Sequence, residues 1–162
     1  TVEDLLEEEV ASQINTNLTG TIFCCQAAVP LLRGAENPRI VNISSASAHH
    51  YDEMAHLSVY AATKAAVERF TRDLRRELQV DGIGVTVVRP GGAATNFASS
   101  WDEERFAEAL QAWQAQGADM DMGMETQHVA AAVTYCLSCP SGVAVDLLEV
   151  RPNVRFPKPI FK

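Results

Sequence analysis

The run Ile83-Gly-Val-Thr-Val-Val88 constrains the fold more than any other part of the chain. It is rich in β-branched residues, carries no charge, and is bounded by Gly82 and Pro90. A strand apolar at consecutive positions cannot turn either side to water, so both of its faces must be covered. A parallel sheet between two layers of helices meets that condition. The sequence just before it supplies such a helix over residues 58–78. Val67, Phe70, Leu74 and Leu78 make one apolar stripe, while Arg69, Arg72, Asp73, Arg76 and Glu77 lie mostly off it. Asp81-Gly82 ends that helix.

The alternation continues in both directions. Residues 2–32 read as one long helix, with Leu5, Leu6, Val10, Ile14, Leu18 and Ile22 at helical spacing and Glu7, Glu8 and Glu9 on a solvated face. Asn17 and Gly20 are poor helix formers in its middle, a local conflict that invites a functional explanation. A turn at 33–38 leads into a short strand at 39–44. A small, polar stretch at 44–58 follows, containing His49, His50 and His56. Beyond the loop Pro90-Gly91-Gly92, residues 101–116 form a helix on a lid-like excursion. Residues 117–125 form a loop in which Met120, Met122 and Met124 alternate with small or acidic residues. Thr126 is the expected N-cap of a helix at 127–138. Residues 143–150 are the last strand, before a tail punctuated by Pro152, Pro157 and Pro159. Helices and strands in this order predict an α/β fold with a doubly wound parallel sheet, in a single domain over 1–162.

Charge narrows the partners. Thirteen basic against 21 acidic residues give a formal net charge of -8, which speaks against nucleic acid and anionic membranes. The most apolar stretch, 21–32, is interrupted by Gln26 and Pro30 and is too short to cross a bilayer. The acidic start is unlike a signal peptide, so a cytoplasmic location is expected. Cys24, Cys25, Cys136 and Cys139 are expected to be reduced. The Cys136-x-x-Cys139 pair has no second pair beside it, and no ligand set converges on His49, His50 and Tyr51, so no metal is expected.

The chemistry centres on Tyr60-Ala-Ala-Thr-Lys64, which puts a phenol and an ammonium one helical turn apart on one face. A neighbouring ammonium stabilises a phenolate and lowers its pKa from about 10, as suits a general acid/base. The spacing alone also fits an ordinary amphipathic surface helix. Its context singles it out. The segments Asn17-Leu-Thr-Gly20, Ile40-Val-Asn-Ile-Ser-Ser45, Tyr60-x-x-x-Lys64 and Pro90-Gly91-x-x-x-Thr95 occur in this order. In order and rough spacing they resemble the motifs of the short-chain dehydrogenase/reductase family, and the resemblance covers residues 2–152.

That resemblance implies a Rossmann-like sheet and an NAD(P)-dependent oxidoreductase, moving hydride between nicotinamide and a small alcohol or carbonyl substrate. By the same resemblance Tyr60 exchanges the proton. Lys64 lowers its pKa and holds the nicotinamide ribose, and Ser45 polarises the substrate oxygen. Asn17 helps hold a water that links Lys64 to solvent. Pro90, Gly91, Ala93 and Thr95 match the segment that wraps the nicotinamide and its phosphate. The final Val145-Asp-Leu-Leu-Glu-Val-Arg-Pro152 is similar to the branch that oxidises 3-hydroxy acids or reduces related small aldehydes and ketones, which favours NADP over NAD. The Met120 to Met124 loop falls where the family closes a lid. The two long helices match its pairing surfaces, which implies a homodimer or homotetramer.

Two departures matter. The stretch between Ser45 and Tyr60 is about two residues longer than usual. By strict spacing the substrate serine is Ser47 and by strand position Ser45, and the rigid strand end favours Ser45. The family's Gly-rich phosphate loop and its Asn-Asn-Ala-Gly segment have no counterpart between Thr1 and Lys162. The expectation is therefore the C-terminal half of the family's sheet, a fragment inactive by itself. The alternative is a truncated, non-catalytic relative acting as an interaction or structural protein. An epimerase or dehydratase, which shares Tyr-x-x-x-Lys, is a third reading, and Asn17 and Pro90-Gly91 argue against it.

Overall fold

The computed structural model describes residues 1–50, 55–99, 101–121 and 123–158. Helix α1 (Glu7–Ile14) runs through a π-helical turn (Asn15–Thr19) into α2 (Gly20–Leu32). Strand β1 (Arg39–Ile43), helix α3 (Ser58–Leu78), strand β2 (Gly84–Pro90) and helix α4 (Glu103–Ala115) follow. The chain continues with strand β3 (Asp119–Met120), helix α5 (Thr126–Leu137), strand β4 (Leu147–Val150) and strand β5 (Phe156–Pro157).

The apolar run at 83–88 becomes the centre of a three-stranded parallel sheet, in the order β1-β2-β4. Alternate side chains leave opposite faces. Val85 meets Ile40, Cys25, Leu74 and Leu78 beneath α2 and α3. Val88, fully buried, meets Ala132 and Cys136 of α5, with Val41, Leu148 and Val150 against them. Each such side chain stabilises the fold by roughly 1.5–3 kcal/mol. The strand buried on both faces is thus the one the sequence singles out. Asn42 is the buried polar residue in β1, and it is satisfied. Its Nδ2 donates to Thr71 Oγ1 at 2.9 Å and its Oδ1 accepts from Cys25 Sγ at 3.5 Å. The four cysteines are free thiols.

Several element ends differ from the sequence reading. The helix expected at 2–32 starts at Glu7, after a separate 3-10 turn (Val2–Asp4), and is interrupted by the π turn. There the Gly20 amide donates to Asn15 O, five residues back instead of four. The conflict signalled by Asn17 and Gly20 is resolved by widening one turn, not by breaking the helix. Helix α5 is capped by Glu125, not Thr126. The Glu125 side chain accepts from the backbone of His128, whose Nδ1 accepts from the Glu125 amide at 3.1 Å. The last strand begins at Leu147 instead of 143, because pairing with β2 starts only at Val87. The antiparallel β3–β5 ribbon was not foreseen from sequence. No helix among the described residues is long and apolar enough to cross a membrane.

The carboxyl ends of the three parallel strands come together. Ser44 N donates to Val88 O and Gly91 N to Val150 O, both at 2.8 Å, which extends the pairing past the strand ends. Open α/β sheets bind their ligands outside this edge.

Candidate active site at the strand ends

Ser45 leaves β1 as the cap of a single 3-10 turn (Ala46–Ala48). Its Oγ accepts from Ser47 N at 3.3 Å and from Ser47 Oγ at 2.9 Å. With those positions filled, the Ser45 hydroxyl still has its own proton to donate, and it lines the same cleft as Tyr60. Tyr60 projects from the first turn of α3. Burial pushes its phenol above the usual tyrosine range, and the nearby Ser45 hydroxyl works in the opposite direction.

Lys64 lies one turn further along α3, with Nζ 5.7 Å from the centroid of the Tyr60 ring. This Nζ donates to Ile43 O at 3.2 Å, and burial lowers the pKa of the ammonium. The expected depression of the Tyr60 pKa by Lys64 is therefore not what this arrangement produces. The ammonium is tied to the end of β1, and loss of water outweighs its influence on the phenol. Asn17, in the π turn, donates from Nδ2 to Thr63 Oγ1 at 3.0 Å, and Thr63 Oγ1 donates to Tyr60 O at 2.7 Å. The widened turn thus reaches the turn of α3 that carries Tyr60 and Lys64, through Thr63 instead of Lys64 itself.

Of the loop residues singled out in the sequence, Ala93 and Thr95 line a cleft of about 400 Å³ with Ser45, Ser47, Tyr60 and Phe97. Pro90 and Gly91 do not line it. A Cβ on Gly91 would lie 3.2 Å from Arg151 Cγ and 3.3 Å from Pro152 Cδ. The bare Gly91 therefore accommodates the end of β4, instead of the approach of a ligand for which the sequence suggested it. Backbone bonds pin the wall at 92–94 to Met124, with Ala94 N donating to Met124 O at 2.8 Å and Met124 N to Gly92 O at 3.4 Å. Met124 is buried and Met120 packs on the lid cluster of Ala109, Leu110 and Trp113. Tyr51 and Met122 fall outside the described residues.

Sequence reasoning missed the layer beneath. Arg89, at the end of β2, binds Glu68 through Nε at 2.8 Å and Nη2 at 2.6 Å, and Glu149 of β4 through Nη1 at 2.8 Å. Ser44 Oγ lies 2.8 Å from Glu68 Oε1. Glu149 also receives His50 Nε2 at 2.9 Å, from the loop that carries Ser45. Burial pushes the Glu68 carboxyl up, but hydrogen bonds from Arg89 and Ser44 and the charge of Arg89 offset it and hold it below the usual range. Glu149 is lowered in the same way, against burial, by Arg89 and His50. The available signal was an Arg ending a strand that must be buried, since a charge there requires acidic partners. Also unforeseen was a chain of ring contacts into the lid. Tyr60 and Phe97 have centroids 4.9 Å apart, and Phe97 and Trp101 5.2 Å. Among the described residues no cluster of three or more His, Cys, Asp or Glu could hold a metal.

The structure is a parallel sheet with helices on both faces and Ser, Tyr and Lys gathered at its carboxyl edge, the edge at which open α/β sheets bind their ligands. The short chain dehydrogenase family model matches residues 1–106. The chain is 30% identical over 151 residues to an uncharacterized oxidoreductase of Staphylococcus aureus (strain MW2), covering 93% of this chain and 58% of that protein. Among solved structures, the closed form of serine dehydrogenase complexed with NADP+ superposes with a TM-score of 0.76 at 26% identity, over 93% of this chain and 58% of that one. A 3-oxoacyl-[acyl-carrier protein] reductase with bound NAD from Brucella melitensis gives 0.68 at 28% identity, over 92% and 53%. The chain belongs to the short-chain dehydrogenase/reductase family, and it spans little more than half the length of these relatives.

Proposed function

We propose that this chain is the catalytic part of an NAD(P)-dependent oxidoreductase acting on a small alcohol or carbonyl compound, with Tyr60 as general acid/base. The observation that carries this reading is the meeting of Ser45 and Tyr60 in one cleft at the strand ends, with Lys64 one helical turn from Tyr60. A substrate oxygen entering between the two hydroxyls accepts a hydrogen bond from Ser45, which keeps its proton, and is polarised by it. Tyr60 gives its own proton to that oxygen on reduction, and takes it back on oxidation. Burial keeps the phenol protonated at neutral pH, which is the form that carbonyl reduction needs.

The residues fit the nicotinamide end of a dinucleotide. The cleft adjoins Tyr60, and its far wall, with Ala93 and Thr95, is held rigid by Met124. Bound there, the nicotinamide supplies or accepts the hydride. Ala93 and Thr95, supported by Pro90 and Gly91, would hold the carboxamide and the adjoining phosphate. Lys64, released from Ile43 O, would take the ribose hydroxyls and put its charge beside the phenol. Asn17 positions the Tyr60–Lys64 turn through Thr63 and holds the relay water. NADP is favoured over NAD by the likeness to the NADP-using branch and by the NADP+ in the serine dehydrogenase complex.

The test is an assay of the protein as its gene encodes it, with NADPH or NADH and a panel of small ketones and aldehydes. Consumption of reduced nicotinamide in step with alcohol formation is expected. If neither cofactor is consumed with any substrate, the reading is wrong.

A further inference from the structure

The cleft in front of Tyr60 has a carboxylate, but no guanidinium or ammonium, among the described residues of its wall. Among the described residues that line it, the ionisable ones are His50, His56, Tyr60 and Asp121, with no Lys or Arg. The guanidiniums behind the wall are already committed. Arg89 is held by Glu68 and Glu149. Arg151 donates from Nε to Asp121 Oδ2 at 2.6 Å, with Glu149 3.9 Å from its Nη1. His50 is held by Glu149. Three carboxylates thus face two guanidiniums and one imidazole, and the carboxylate in the cleft wall is Asp121, whose side chain is 10% exposed. His56 is exposed, so a charge there is screened by water. The rest of the wall combines the hydroxyls of Ser45, Ser47, Ser58 and Thr95 with the large apolar side chains Leu57, Phe97 and Met120, and Phe97 lies against the Tyr60 ring.

An incoming carboxylate would meet Asp121, and the guanidiniums behind the wall are already paired, while the other cation near Tyr60, Lys64, donates to Ile43 O and is the one assigned above to the ribose. An apolar substituent would meet Leu57, Phe97 and Met120 and lose nothing. We propose, building on the oxidoreductase reading above, that the substrate is an uncharged ketone or secondary alcohol bearing an aryl-sized apolar group. Asp121 acts as the specificity residue that excludes carboxylate-bearing analogues. The Arg151-Pro152 ending, though similar to that of the hydroxy-acid branch, brings no carboxylate site, because Asp121 and Glu149 occupy Arg151.

Two ligands of one skeleton, methyl benzoylformate and benzoylformate, separate charge from shape. Their binding to the protein as encoded is measured by titration calorimetry, with saturation-transfer NMR reporting which ligand protons touch protein. The neutral ester is expected to bind at least about tenfold more tightly than the anion, since like charges brought together are strongly disfavoured. Asp121→Asn removes the opposing charge and loosens Arg151, so the ratio should fall by about threefold or more through tighter binding of the anion. The wild-type ratio decides the matter even if that variant does not fold. Equal or tighter binding of benzoylformate overturns the proposal, and so does an ester that shows no saturable binding. NADPH oxidation in the presence of bound ester is read separately. Ester that binds but is never reduced counts against the oxidoreductase reading and leaves the charge preference standing.

Discussion

Ser45 and Ser47 illustrate what a sequence can say about a single residue. Both fit the motif, and only their position relative to the end of β1 separates them. In the structure they are partners: Ser47 fills the acceptor side of Ser45 Oγ, and Ser45 lines the cleft with Tyr60. On the proposed mechanism, Ser45→Ala costs about 2–4 kcal/mol of transition-state stabilisation, the scale of a lost oxyanion-type donor. Ser47→Ala costs distinctly less, because it removes one of two donors to Ser45 and keeps the amide. Steady-state kcat/KM for the two variants checks the order, and the reverse order would move the substrate serine to Ser47. The Tyr60 pKa was less legible. The Tyr-Lys spacing suggests depression, yet burial prevails and Lys64 is held by Ile43 O. In the absence of cofactor, the tyrosinate absorbance that disappears in Tyr60→Phe should therefore titrate above the usual value of about 10. Ser45→Ala, which removes the hydroxyl that opposes the effect of burial, should raise it further. A Tyr60 midpoint below the ordinary tyrosine value would contradict this description of the site.

At the scale of elements, the pieces with strong periodicity were legible and their ends were not. The α3 stripe and the β2 run declare themselves because each must bury a face, and α3 spans the residues expected. The π turn was legible only as a conflict: Asn17 and Gly20 signal trouble in a helix without saying how it is relieved. The Glu68–Arg89–Glu149 network was hidden because its members are 21 and 60 residues apart and meet only when α3, β2 and β4 pack. Arg89 and Glu68 side chains are 9% and 14% exposed, so truncating one strands a buried charge. Arg89→Met should destabilise by about 3–5 kcal/mol at neutral pH. The sign with pH follows from the carboxylates. Glu68 and Glu149 have folded pKa values below their unfolded ones, so their contribution is complete above the unfolded range and lost as pH falls through the folded values. Urea unfolding of wild type and Arg89→Met should converge as the pH drops below about 4. A gap between them that does not change with pH would show that Arg89 acts through packing alone.

For the molecule as a whole, the buried strand implied a two-sided sheet, and the order of elements implied its parallel topology. Its carboxyl edge gathers Ser45, Tyr60 and Lys64 from a strand end and a helix face, as that topology requires. The sequence placed a helix and a Met-rich loop beyond that edge without showing the contacts that hold them there. The lid cluster depends on contacts that no local pattern announces. Trp113 Nε1 donates to Ala55 O at 2.6 Å, and Lys158, near the end of the chain, donates to Trp113 O. These contacts join the substrate-side loop, α4 and the β3–β5 ribbon around the cleft. They make the cleft's shape a property of the whole fold, while its chemistry rests on a few side chains. The central claim is that one of these, the Tyr60 hydroxyl, carries the proton in a nicotinamide-dependent reaction. The most direct measurement is the rate of reduced-nicotinamide oxidation by Tyr60→Phe, made in the protein as encoded, with cofactor binding titrated in parallel. The account predicts a loss of about 10²–10⁴-fold in kcat, the usual worth of a positioned acid/base, with cofactor affinity little changed. Turnover within about tenfold of wild type at the pH optimum would contradict it.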